Sequence, residues 1–530
     1  MAAEGEQGRT AATMLLLAGD ILRRTARRLP RKAAILCDEE SLDFAALDAA
    51  ANRFANALLA RGIAKGETIA IMSANYPAYG IVFYGAARAG VVLANINARA
   101  NAEEAGRILA ATEARLVVVE AALAALAVAA LAKARTAAEI VAFGAGPRPA
   151  GGVASLAHLL EESSASEPAL ALSEDDPFGL TFTGGTTGVP KGVLVSHRAR
   201  GLSALTTLID FGLGEDDVAA VTTPLFHAAA LYIWFHPAVM CGATSVFLPR
   251  WEVERFIAAV ERHRVTAAIL VPTQINDLIK HPSFAPDRLR TLVKVNHAGM
   301  PMPLALIERV RECLPWVGLT DNYGTSEAGA LTARRPGHLP AKAGSVGRPA
   351  FNVEIEIRGP GGEVLPPGAV GELTTRGDHL MLGYYKDAKT TAAAYRMGDG
   401  WFWTGDLGYR DEDGFIVLVD RSKDVLVQGG ENIFPLEIEQ VLYRHPAVLE
   451  CAVVGIPDER LGEVPVAHVV LRPGREASEA ELVAHCETAL PRHKRPRLVK
   501  FVGELPKNAV GKIQKHKIRE PYWAGRARRI

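Results

Sequence analysis

The chain has 530 residues, with 59 Lys and Arg balanced by 59 Asp and Glu, and five cysteines. That length exceeds what one hydrophobic core serves and suggests about three or four structural units, while the balanced charge creates no field that would favour nucleic acid or an anionic membrane surface. Cys37, Cys241, Cys313, Cys451 and Cys486 lie far apart, with no C-x-x-C pair and an odd total, which argues against a zinc site and a disulfide framework and for a reducing, cytoplasmic setting.

In chain order, an apolar run at 14–18 is broken by Gly19 and Asp20 before the basic stretch 23–31, an order of regions that does not suit a secretory leader. Apolar residues at i, i+3 and i+4 over 47–61 predict a helix, and the runs 68–72 and 116–119 predict short buried strands. Their alternation indicates an α/β domain with parallel strands. The alanine-heavy stretch 121–132 is too short to span a bilayer and predicts a packed helix. Residues 145–177, rich in Gly, Pro, Ser and acids, predict an exposed connection.

Next comes TFTGGTTGVPKG, residues 181–192. Glycines let backbone N–H groups approach an anion, and threonine hydroxyls add donors with little bulk. A Walker A loop is excluded because Lys191 stands between Pro190 and Gly192, and because the runs 178–182 and 193–197 predict strands on both sides, with no helix terminus facing the loop. Further apolar runs at 218–222, 245–248, 267–271 and 292–296 predict a second α/β unit. Gly-rich turns between short strands over 344–419 predict a small β-subdomain, and the chain after Arg421 is long enough for a small α+β lid.

Five further stretches, with that loop, resemble in order and spacing the motifs of the adenylate-forming superfamily of acyl- and aryl-CoA ligases, luciferases and adenylation domains. The resemblance covers essentially the whole chain. It implies an α/β fold with a large N-terminal domain, 1–419, made of two α/β subdomains and a β-subdomain. A hinge at 420–423 and a mobile α+β lid, 424–530, would follow.

The resemblance makes the loop 181–192 the phosphate loop, with Thr183, Gly184, Gly185, Thr186, Thr187 and Gly188 around the triphosphate and Lys191 beside it. Gly184 stands where serine is common, which shifts donation to the backbone and the threonines. Ala298, Gly299 and Met300 correspond to the adenine-side loop. Asp321, Asn322, Tyr323, Gly324, Thr325 and Ser326 form the next nucleotide motif, and Glu327 would supply a hard oxygen for Mg²⁺. Asp406, in a Trp-Thr-Gly-Asp stretch read as a turn, would accept from both ribose hydroxyls. Arg421 would help hold the nucleotide, and Lys423 would be the pivot. Lys512, in a Gly-Lys pair preceded by Val510 where threonine is usual, would be the catalytic lysine.

A carboxylate is a poor electrophile until it becomes an acyl-AMP, whose leaving group is good. The resemblance therefore implies an ATP-dependent acid:CoA ligase using ATP, Mg²⁺ and CoA. Rotation at the hinge would withdraw Lys512 and bring Gly429, Gly430 and Glu431 to the cleft for the CoA arm. His227 would gate the thiol path. Tyr232, Gly299 and Gly324 would line an acyl pocket with the uncharged segment 228–234, which suits an apolar aliphatic, alicyclic or aromatic acid. The nearest rival is a stand-alone adenylation enzyme that loads a carrier protein. A homodimer stays open.

Overall fold

The computed structural model describes residues 16–146, 153–183, 191–300, 302–507 and 513–524. Their strands form four sheets, and two of these build the large N-terminal part.

The first sheet runs in the order Gly383–Tyr384, Lys191–Ser196, Pro177–Thr183, Val92–Ile96, Thr68–Met72, Leu116–Glu120, Glu139–Phe143, Val153–Ser155. From Pro177–Thr183 onward its neighbours are parallel. Strands such as TIAIM are buried at every position, as expected where helices cover both faces of a parallel sheet. The second sheet runs Arg348–Pro349, Gly329–Arg334, Gly318–Thr325, Lys294–Ala298, Ala267–Leu270, Val218–Val221, Thr244–Phe247, Ala33–Cys37, Glu40–Asp43.

One apolar core contains side chains of both sheets, with Phe83, Phe178, Tyr232, Trp234 and Phe235 packed among Ile69, Leu93, Val221 and Ile269. Burying a side chain of that size contributes roughly 1.5–3 kcal/mol, so this shared core joins the two sheets into one body. Helix Phe44–Ala60 starts where Asp43 accepts from the Ala46 N–H, and helix His197–Phe211 starts where Ser196 accepts from the Ala199 N–H. Each cap satisfies a backbone donor that the first turn cannot.

The third sheet is antiparallel: Glu354–Arg358, Gly371–Arg376, Phe402–Arg410, Ile416–Arg421. The fourth, with Val448–Asp458 and Gly462–Leu471 as its long pair, packs on helices Pro435–Leu442 and Glu479–Glu487 around its own core. No helix among the described residues is long and apolar enough to cross a membrane.

Two expectations need correction. The stretch 145–177 is more than an exposed connection, because strand Val153–Ser155 and helix Leu156–Glu161 lie within it and bury Leu156 and Leu159. Its polar composition hid a short amphipathic unit. Trp403 to Asp406 is no turn: it lies inside strand Phe402–Arg410, where Gly405 takes φ +75° and a register shift follows between Leu407 and Gly408 on the partner side. A glycine at a left-handed position reads as a turn in sequence, but it can equally kink a strand. The glycine-rich loop does connect two strands, which pair antiparallel from Pro177 with Ser196 to Thr183 with Lys191.

Candidate active site

The strands Lys294–Ala298 and Gly318–Thr325 run side by side, with Ala298 opposite Asn322 and His297 opposite Asp321. Asp321 is tied from behind: Arg334 Nη2 lies 3.2 Å from Asp321 Oδ2 and 3.1 Å from His297 Nε2, with the Arg334 and His297 side chains buried. Burial, opposed by Asp321, lowers the His297 pKa, so its imidazole stays neutral. This cluster fixes the strand end from which Asn322 and Tyr323 project.

Tyr323 donates its hydroxyl to Asp406 Oδ2 at 2.7 Å, and Arg421 Nε stands 3.1 Å from Asp406 Oδ1. Three segments distant in sequence therefore meet on one carboxylate. Burial, then the Asp406 charge, push the Tyr323 phenol well above its usual pKa and keep it a donor. Each Asp406 oxygen already serves one protein group, and a carboxylate offers about four lone-pair sites. Both oxygens retain capacity for further donors.

Strand Gly318–Thr325 turns back into Gly329–Arg334, and Glu327 sits on that turn. Thr325 Oγ1 accepts from the Ala328 N–H at 3.1 Å, which tightens it. Tyr384 donates its hydroxyl to Glu327 Oε1 at 2.8 Å, and the Met381 N–H donates to the Glu327 carbonyl at 2.7 Å. Burial and the neighbouring Glu327 charge raise the Tyr384 pKa, so it remains protonated. Lys191 Nζ lies 5.4 Å from the Tyr384 ring centre, and Thr183 Oγ1 donates to the Lys191 carbonyl at 3.5 Å. Tyr384 thus joins the base of the glycine-rich hairpin to the turn bearing Glu327.

Gly324 has no room for a side chain, since a Cβ there would run into the Gly329 carbonyl oxygen. Gly324→Ala is expected to destabilise the fold by roughly 1–3 kcal/mol through overpacking, read as a lower denaturation midpoint with the slope unchanged.

On the acyl side, His227 Nδ1 accepts from the Ala229 N–H at 3.4 Å and caps the turn 228–230. A single π turn, Leu231–Phe235, follows. Tyr232 is in the core, 1% exposed, with its hydroxyl against Gly179; it is not on an open pocket surface. The segment carries no charge, yet Arg200 lies beside it, its guanidinium carbon 5.5 Å from the Tyr232 ring centre. Gly299 is exposed at φ +89° just past its strand, with Met300 next to it.

Gly429 and Gly430, at φ +59° and +91°, make a two-residue hairpin between Leu426–Gln428 and Glu431–Ile433, the geometry that favours paired glycines. Glu431 Oε2 lies 3.4 Å from His493 Nε2. The Lys423 carbonyl accepts from Arg519 Nη1 at 3.3 Å. Gly184, Gly185, Thr186, Thr187, Gly188 and Lys512 lie outside the described residues. Sequence reading missed Tyr384, Met381, Arg334 and Arg200, which sit in unremarkable local patterns and matter only through what they touch across the fold.

Residues 22–385 match the family model for the AMP-binding enzyme, and residues 437–512 match that for the AMP-binding enzyme C-terminal domain. The chain belongs to the AMP-binding enzymes. It is 35% identical to a feruloyl-CoA synthase from Amycolatopsis over 94% of this chain and 98% of that one, and 35% identical to an indoleacetate–CoA ligase from Aromatoleum aromaticum over 93% and 95%. Its fold is similar to that of an anthranilate CoA ligase solved in complex with anthranoyl-AMP, with TM-score 0.89 and 28% identity over 96% of this chain and 97% of that one. Within the family the chain is an acid–thiol ligase that takes ATP and CoA as substrates.

Proposed function

We propose that the protein activates an apolar carboxylic acid as its acyl-AMP, releasing pyrophosphate, and then transfers the acyl group to CoA. The observation that carries this reading is the convergence of Tyr323 and Arg421 on Asp406, next to the turn that presents Glu327. In the first step the acid attacks the α-phosphate and charge moves onto pyrophosphate, so the demand is for positioning and electrostatic stabilisation. Asp406 would accept from the ribose, and the hairpin 183–191 would surround the phosphates.

Glu327 suits Mg²⁺. Among the described residues no group of three or more His, Cys, Asp and Glu is gathered for a metal, and Mg²⁺ is held by one or two carboxylates when it arrives on a nucleotide. The ion would neutralise charge on the phosphates. The chain's own part is to hold the carboxylate, through Tyr384 and the Met381 N–H, where the phosphates come past.

The second step needs an open path for the thiol. We assign residues 1–419 to the body, 420–423 to the hinge and 424–530 to the lid, whose rotation would replace Lys512 by the Gly429–Gly430 turn. Aryl acids stand first among candidates because the two curated relatives above are named for aryl-bearing acids. The cysteine pattern supports a cytoplasmic setting: Cys451 and Cys486 are free within one small core.

Acid-dependent ATP/pyrophosphate exchange over aryl, alicyclic and short to long aliphatic acids tests the first step, with CoA and carrier protein compared as acceptors. Exchange with at least one apolar acid and transfer to CoA are expected. No exchange across the panel contradicts the reading.

A further inference from the structure

Beneath the turn that carries Glu327 lies a cation with no part in the steps above. Arg200, on helix His197–Phe211, is fully buried, and its Nη2 donates to the carbonyl oxygens of Ser326 at 3.3 Å and Glu327 at 3.4 Å. Its Nε and Nη1 have no hydrogen-bond partner among the described residues, and no ion pair to it occurs among them. Desolvation brings its pKa down to about 10, with Tyr232 and Glu327 pulling the other way; it is charged at neutral pH. Burying a guanidinium on two long carbonyl bonds is a poor route to stability compared with an apolar side chain of the same volume.

The turn is nonetheless shaped around this group. Gly329 takes φ +72°, and a Cβ there would stand 2.8 Å from Arg200 Nη1 and run into Ser203 Oγ. A side chain at 329 would displace the guanidinium from the two carbonyls.

Three contacts therefore fix Glu327: Arg200 on the carbonyls of the turn, the Met381 N–H on the Glu327 carbonyl, and the Tyr384 hydroxyl on its carboxylate. The helix carrying Arg200 continues directly from Lys191–Ser196, and Gly383–Tyr384 pairs with that same strand. The glycine-rich hairpin and the Glu327 turn are thereby tied to one strand.

We propose that Arg200 is a positioning residue that holds the Ser326–Glu327 backbone from behind and so sets where the Glu327 carboxylate stands relative to the phosphate hairpin. This rests on the reading that Glu327 holds the metal during adenylation. Groups that orient a metal's carboxylate without touching the ion typically alter metal affinity or activity about 10- to 100-fold when removed.

The test uses the full chain and Mn²⁺ as probe, its binding followed by water-proton relaxation in the presence of a non-hydrolysable ATP analogue. Arg200→Met is expected to weaken Mn²⁺ binding about 10- to 100-fold and to raise, by a similar factor, the Mg²⁺ concentration for half-maximal ATP/pyrophosphate exchange. Thioester formation from supplied acyl-AMP and CoA should fall far less. Arg200→Lys, which keeps charge and a donor and is the milder test should Arg200→Met fail to fold, is expected to fall between the two. Unchanged Mn²⁺ affinity in either variant overturns the proposal, as does an equal fall of both half-reactions without a metal effect. The underlying reading fails separately: a wild-type enzyme without acid-dependent exchange, or Glu327→Gln binding Mn²⁺ as tightly as wild type, overturns it and the inference together.

Discussion

Replacing Lys512 by alanine is expected to slow acid-dependent ATP/pyrophosphate exchange on the order of 10²- to 10³-fold, the scale of losing one preorganised charge-stabilising donor. The same variant should still convert supplied acyl-AMP and CoA to thioester. The two half-reactions separate because charge builds on the phosphates only in the first, whereas the second needs a thiol to approach the acyl carbon from a side that a lysine-bearing loop would obstruct. Equal loss of both would mean that Lys512 supports the fold or both steps alike. The loop's flanks give the substitution a fair background, since Lys507 pairs with Glu450 at 2.5 Å and Lys515 with Glu439 at 2.8 Å, neither through Lys512.

Asp406→Ala is expected to lower kcat/KM for ATP by roughly 10²- to 10⁴-fold, from the loss of two hydrogen bonds to a charged acceptor worth about 1.5–3 kcal/mol each. Asp406 is 6% exposed and accepts from the Tyr323 hydroxyl while facing the Arg421 guanidinium. Its removal thus strands a half-buried hydroxyl and a cation as well as any ribose contact. Asp406→Asn separates these effects, because an amide oxygen can still accept from Tyr323 while the charge facing Arg421 is gone. If the asparagine variant unfolds at the wild-type denaturant midpoint yet loses most of its ATP response, the carboxylate acts on the nucleotide. A wild-type ATP response in both variants would remove Asp406 from the site.

What was legible in the sequence followed from local rules. The strands at 68–72, 116–119 and 218–222 showed as short apolar runs because both faces of a covered parallel sheet are buried,. The glycine-rich hairpin was legible because β-branched runs flank it. Motif residues such as Tyr323, Glu327 and Asp406 were singled out through order and spacing, and the structure brings Tyr323 and Asp406 into contact.

The rest depends on contacts that no local pattern encodes. Tyr384 belongs to a two-residue strand, and its meaning comes from Glu327, 57 positions away in the chain. Arg200 follows a histidine and an arginine at the start of an ordinary capped helix, where a third basic residue reads as solvated charge; only packing against the Glu327 turn shows it buried. Trp403 to Asp406 was misread because glycine signals backbone permissiveness without saying whether a turn or a kinked strand uses it.

The grip of Arg519 on the Lys423 carbonyl, with Asp424 3.5 Å from the same guanidinium, bears on how a lid could swing. Helix Lys515–Trp523 is thereby clamped to the segment proposed as the hinge, and Lys515, beginning that helix, is anchored to Glu439 on helix Pro435–Leu442. If the chain pivots at Lys423 as proposed, a torsional change there would carry helix Lys515–Trp523 with it as a lever. Loosening the clamp with Arg519→Ala should slow the proposed exchange between lid positions more than it alters either end state.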